Sequence, residues 1–212
     1  MSGNPLGRAW DARVLPWLVE KSCRSHAILD ERRRWVPRAF GEVLELGVGS
    51  GLNLAFYDPT VARAVVAIDP SPELLARAAP RAAAAPVPVA LHQAAAEALP
   101  FDAGRFDSAL VTYTLCSVGD VPRALAEVQR VLRPGAPLIF VEHGRSDRAS
   151  TAAWQRRITP LWRTLGGNCH LDRDIAALLT ASGFTLREAE AGHVPGGGRL
   201  TSFTYQGLAM NP

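Results

Sequence analysis

The chain has 212 residues, a net charge of +3 and 48% hydrophobic against 20% charged residues. That is enough for one sizeable core and too short for two ordinary domains, so a single soluble globular domain is expected. Its 23 basic residues include one lysine, Lys21, and a charge this modest gives no footing for a nucleic-acid surface. Cys23, Cys116 and Cys169 are widely spaced, with no Cys-x-x-Cys, so neither a metal site nor a disulfide framework is expected. No uninterrupted apolar run is long enough to span a bilayer and no signal peptide is read, so a cytoplasmic location is expected.

In chain order, residues 10–35 form a mixed helical segment with Val14, Leu15, Leu18 and Val19 at helical spacing. Strands follow near 42–46, 64–68, 87–91, 106–111, 137–142, 184–190 and 202–209. Helices fall near 51–56, 72–82, 120–132, 151–165 and 172–182. Strands alternating with helices over short connections predict an α/β fold: a Rossmann-like, doubly wound, seven-stranded, mostly parallel sheet with an antiparallel last strand and an N-terminal helical extension. The whole chain, 1–212, is one domain in this reading, with 10–35 as a lid or cap over a core at 36–212. Ligands in such sheets sit outside the carboxyl ends of the strands.

The first strand, Val43-Leu44-Glu45-Leu46, ends in Gly47-Val48-Gly49-Ser50-Gly51. Glycines there allow a sharp turn and a close approach of ligand to backbone. Leu52-Asn53-Leu54-Ala55 reads as a helix start whose free N–H groups favour an anion, here a carboxylate. The dinucleotide fingerprint would put its last glycine at position 52, which is leucine. The second strand ends in Asp69, an acceptor suited to the two hydroxyls of an unphosphorylated ribose. Asp69 could also cap the helix starting near Ser71-Pro72-Glu73, a use that does not exclude ribose binding.

The glycine loop with Glu45 before it and Asp69 after it resembles the first motifs of the class I S-adenosylmethionine (SAM) methyltransferases. The resemblance implies SAM as cofactor and S-adenosylhomocysteine as product. It implies a cofactor site at Glu45, Gly47, Gly49, Gly51, Asn53, Asp69, Pro70, Ala96, Glu97 and Thr112. Glu45 would help hold the amino group of the cofactor, and the backbone around Ala96, beside Glu97, would meet adenine. Many relatives carry an aspartate near Ala95, which this chain lacks.

Further segments narrow the resemblance. Leu115-Cys116-Ser117-Val118, Arg133-Pro134-Gly135, Glu142-His143-Gly144 and Gly166-Gly167-Asn168-Cys169-His170-Leu171-Asp172-Arg173 occur in one order. The series is similar to small bacterial methyltransferases of the type-11 group, related to mammalian alkyl-thiol S-methyltransferases. Those mammalian relatives carry an apolar anchoring N-terminus not read here, and their Gly-Gly-Cys-Asn-Leu stands here as Gly-Gly-Asn-Cys-His.

The resemblance implies in-line methyl transfer to a small molecule, most simply a thiol. His143 is the first candidate base and His170 the second, with Tyr113 orienting the acceptor or contacting the cofactor. Cys169 is expected to pack as a small apolar residue. Trp154 and Trp162, with Trp10 and Trp17, are expected to wall an apolar pocket. Rival readings are N-methylation of an amine or phospholipid headgroup, with Arg32-Arg33-Arg34 giving peripheral membrane contact, and a non-catalytic SAM-binding regulator. No nucleic-acid partner is expected, since no Asp/Asn-Pro-Pro-aromatic motif for a flipped base is present. A monomer or weak dimer is expected.

Overall fold

The computed structural model describes residues 25–212. Helix α1 (His26–Trp35) runs through a single 3-10 turn (Val36–Arg38) into strand β1 (Gly41–Leu46). Then follow β2 (Ala62–Asp69), helix α2 (Pro72–Ala83), β3 (Val89–Gln93), β4 (Ser108–Thr112), α3 (Val121–Val131) and β5 (Pro137–His143). Helices α4 (Ala149–Leu165) and α5 (Ile175–Ala181) precede the strands β6 (Thr185–His193) and β7 (Phe203–Met210). Residues 10–24 of the expected N-terminal helix lie outside the described residues.

The seven strands form one sheet in the order β3-β2-β1-β4-β5-β7-β6. The pairs from β3 to β5 are parallel, and β7 runs antiparallel to both its neighbours. The expected topology, antiparallel last strand included, is therefore found. Alternate strand residues serve opposite faces. Leu44, Leu46, Val111, Leu138 and Phe140 pack with Leu125 and Val128 of α3 and Leu179 of α5 on one face. Val43, Val65, Leu110, Ile139 and Val141 pack with Trp35, Leu54 and Tyr57 on the other.

Sequence signals fix most helix starts. Ser71 caps α2 by accepting the Leu74 N–H at 3.2 Å, Asp120 caps α3 through Arg123, and Asp174 caps α5 through Ala177. Asp69 is therefore not the cap of α2. The expected start of α5 at 172 moves to 175 because Asp174 takes the cap. Strand β3 begins two residues later than expected because Pro88 has no N–H to donate, offering only its carbonyl to Val65. Phe106, the expected start of the fourth strand, makes only an isolated bridge to Leu132.

The largest departure is the helix expected at 51–56. It is reduced to one 3-10 turn, Leu54–Phe56. Tyr57 is extended and buried, with its hydroxyl turned in to Glu45, and the following Asp58 precedes a proline, which disfavours helical backbone there. So short a turn supplies no helix N-terminus, and the anion site expected from it is not formed.

Candidate functional site

At the tip of β1 the glycine loop turns with positive φ at Gly47, Gly49 and Gly51. A Cβ on Gly47 would fall 2.2 Å from Thr114 Oγ1, so that glycine is required by packing. A Cβ on Gly49 would meet nothing within 4 Å. The Gly49 backbone thus faces open space, a cradle that any side chain would begin to fill. Asp69 closes it from β2: one carboxylate oxygen accepts the Gly49 N–H at 3.0 Å and the other accepts the Ser71 N–H at 2.9 Å. Burial raises its pKa, and those two N–H groups oppose the rise.

Glu45 is fully buried beneath the loop. Asn53 Nδ2 donates to one oxygen at 2.9 Å and Tyr57 OH to the other at 2.8 Å. Asn53 Nδ2 also donates to Thr112 Oγ1 at 2.9 Å. Arg32 of α1 completes the network, donating to Asn53 Oδ1 and, at 3.0 Å, to Thr112 Oγ1. Burial raises the Glu45 pKa, with Tyr57, Asn53 and Arg32 opposing. Glu45, Asn53 and Thr112 are therefore brought together as expected neighbours, while Arg32 and Tyr57 were not anticipated. The signal for Arg32 is its place between Ile28 and Trp35, on the apolar side of α1. The expected basic face breaks up accordingly. Arg32 is buried, Arg33 pairs with Asp30, and Arg34 makes a bidentate pair with Glu190.

The remaining candidates lie along the strand tips. Pro70 is exposed and its carbonyl accepts from Gln93 Nε2 at 3.3 Å. Ala96 is buried beside Glu97, whose carboxylate accepts the N–H groups of Gly119 and Asp120 before α3. Tyr113 follows β4 with φ of 53°, and its hydroxyl donates to Glu31 of α1.

The tip of β5 is built differently. Glu142 is fully buried and accepts three backbone N–H groups, from Thr114 at 2.7 Å, Leu115 at 3.0 Å and Cys116 at 3.1 Å. Burial pushes its pKa up to about 7 despite those donors. His143 is also buried, and its Nε2 has no partner among the described residues. Its Nδ1 lies 3.8 Å from Cys169 Sγ. Cys169 is partly exposed, and the His170 N–H next to it donates to the carbonyl of the buried Cys116 at 2.8 Å. The neighbouring Cys116 thiol and then His143 lower the Cys169 pKa against the opposing effect of burial, and the Cys116 pKa is raised. His170 is half-buried, with burial and Arg173 lowering its pKa. Trp154, expected to wall a pocket, is 57% exposed, and Trp10 and Trp17 lie outside the described residues. No group of His, Cys, Asp and Glu among the described residues could hold a metal ion.

A sheet of this order, with a glycine cradle and carboxylates at the tips of its first two strands, defines a class I SAM-dependent methyltransferase fold. A family model described as a methyltransferase domain matches residues 44–140. Human thiol S-methyltransferase TMT1B is 33% identical over 184 residues, covering 81% of this chain and 73% of that protein. Its rat counterpart is 34% identical over 149 residues, and the chain spans only about half of that protein's length, 55%. A phosphatidylethanolamine N-methyltransferase from Cereibacter sphaeroides is 36% identical over 128 residues, covering 59% of this chain and 62% of that protein. The fold is shared with a SAM-dependent methyltransferase structure from Methanosarcina mazei, with TM-score 0.61, 24% identity and coverage of 80% of this chain and 92% of that one. The chain belongs to the type-11 group of SAM-dependent methyltransferases, and SAM is its cofactor. The cradle at Gly49 and the Asp69 carboxylate fit that cofactor, one as open backbone and the other as an acceptor for ribose hydroxyls.

Proposed function

We propose that this chain methylates small thiols, using SAM as methyl donor. Bound cofactor supplies an electrophilic methyl group on a sulfonium, and the chain supplies position, dryness and a base. The Gly47–Gly51 backbone receives the methionine portion, Asp69 the ribose, and the backbone at Ala96 the adenine. The buried network of Glu45, Asn53, Thr112 and Arg32 holds the loop in register. Pro70 and Glu97 border the same cleft.

The observation that carries the acceptor side is the unpartnered Nε2 of buried His143. A buried imidazole nitrogen without a partner is costly, and a ligand proton is the partner that removes the cost. A free thiol has a pKa near about 8.5, so little thiolate exists at neutral pH and a modest base is enough. His143 would take the proton of the acceptor thiol, and the bound cofactor would supply the methyl group and be released as S-adenosylhomocysteine. Tyr113 borders the acceptor, and His170 is the second candidate base. Similarity to thiol S-methyltransferases supports this reading. Similarity to a phosphatidylethanolamine N-methyltransferase favours the rival, an amine or lipid acceptor.

The test is methyl-labelled SAM with purified protein and a panel of thiols, amines, phenols and lipid vesicles. Labelled thioether is the expected product. Label in an amine or lipid alone overturns the thiol reading, and tight cofactor binding without transfer supports a regulator. His143→Ala should lower turnover about 100-fold, the usual scale for a general base. The loss should be greater at low pH, where the thiol does not ionise by itself. A loss independent of pH would mark His143 as packing.

A further inference from the structure

The proposed methyl transfer does not use the two thiols beside His143. They come from distant parts of the chain, Cys116 from the loop after β4 and Cys169 from the loop before α5. Three contacts fasten these loops together. His170 N–H donates to the Cys116 carbonyl at 2.8 Å, Asn168 Nδ2 donates to the Ser117 carbonyl at 2.8 Å, and Arg173 donates to the Leu115 carbonyl. The two cysteine-bearing loops are thus pinned side by side, with Cys116 bonded through its carbonyl to the residue that follows Cys169. Cys116 is 3% exposed, while Cys169 is reachable from solvent. His143 Nδ1 stands 3.8 Å from Cys169 Sγ, and Cys116 has Ser117 Oγ at 3.6 Å.

We propose that Cys169 is a hydroperoxide-reactive thiol and that Cys116 is its resolving partner, so that the two close into a reversible disulfide across the acceptor side of the site. The assignment of roles follows from exposure and from partners. A thiolate is the reactive form, and a neighbouring imidazole and a neighbouring thiol favour it at Cys169. The Cys169 pKa is lowered by these contacts and that of Cys116 is raised, which keeps the inner sulfur protonated. The outer sulfur therefore meets the oxidant first.

The chemistry balances with a hydroperoxide as the only added reagent. The Cys169 thiolate attacks the peroxide, forming an S–O bond and breaking O–O, and the departing alkoxide or hydroxide takes a proton. The Cys116 sulfur then attacks the sulfenic sulfur. An S–S bond forms, the S–O bond breaks, and hydroxide leaves with the Cys116 proton as water. The two sulfurs lose two electrons, and the peroxide gains them. Closure withdraws the thiol from His143 Nδ1 and covalently ties the two loops.

The test uses the 212-residue chain carrying Cys23→Ser, which leaves Cys116 and Cys169 as its cysteines. Limited hydrogen peroxide, followed by thiol counting and peptide mass mapping, should give loss of both thiols and a linked peptide containing Cys116 and Cys169. Dithiothreitol should restore both. In a second variant that also carries Cys116→Ser, Cys169 should accumulate irreversible sulfinic acid, because nothing resolves it. With Cys169→Ser instead, Cys116 should react at least about 10-fold more slowly. Two thiols surviving peroxide, or sulfinic acid on Cys169 with Cys116 present and no linked peptide, would overturn the proposal. These readouts need no methyl acceptor, so they stand apart from the thiol methyltransferase reading on which only the location rests. If that reading is right, oxidation also lowers thioether formation and dithiothreitol recovers it.

Discussion

The tips of β1 and β5 each bury a glutamate, and the two are held in different ways. Glu45 has the parity of Val43 and faces the α1 side of the sheet, where side chains hold it: Asn53 and Tyr57 directly, Arg32 and Thr112 through Asn53. Glu142 has the parity of Leu138 and Phe140 and faces the other side, where only backbone N–H groups bind it. The first tip is a side-chain network beneath a glycine cradle. The second is a clamp on the loop that carries Tyr113 and Cys116. The β1 tip thus rests on residue identities, while the β5 tip rests on the path of the main chain.

Breaking the β5 clamp should have the largest effect. Glu142→Ala leaves three donors unpaired, two of them buried, and at about 1–3 kcal/mol for each buried one the protein should lose at least about 2 kcal/mol by urea unfolding. Glu142 also imposes a pH dependence. Its folded pKa, about 7, lies above the ordinary 4.5, so the folded state binds the proton more tightly. Its contribution is full below 4.5 and is lost as pH rises through about 7. Glu142→Gln should flatten that part of a stability-against-pH curve, and an unchanged slope would refute the assignment.

On the cofactor side the effects should appear in binding. Asp69→Ala should weaken SAM by about 1.5–3 kcal/mol, the range for hydrogen bonds to a charged group, as read by calorimetry. Unchanged affinity removes Asp69 from the site. Gly49→Ala sharpens the contrast with the smallest cost in stability, about 1–2 kcal/mol for a left-handed alanine. Its methyl enters open space, so unfolding should show no loss beyond that backbone strain while cofactor affinity falls by a larger factor. Equal losses in both would mean that the cradle is not a binding surface.

The same contrast explains what was legible. Strand alternation was readable because period carries it directly, whereas the cap Asp174 was not singled out and the start of α5 was set three residues early. Glu45, the three glycines and Asp69 were readable because a strand tip followed by a turn leaves few other uses for them. Arg32 was hidden in a run of three arginines, whose charge suggested a surface although consecutive helix positions point in different directions. The helix expected at 51–56 failed because Asn53 and Tyr57 are drawn to Glu45, a demand made from another strand. The environment of Cys169 was unreadable because loops remote in sequence create it. Nothing in its neighbours along the chain announces Cys116 or His143.

Helix α1 sends Glu31 and Arg32 toward the centre of the sheet, while Arg34 and Arg38 form bidentate pairs with Glu190 and Glu188 on β6 at the far edge. Those outer pairs are exposed, so dissolved ions compete for them, whereas the inner contacts are sheltered. The segment that orders the cofactor network is thus moored at one end by bonds that salt can loosen. Raising the ionic strength should therefore weaken these outer pairs well before the inner contacts of α1.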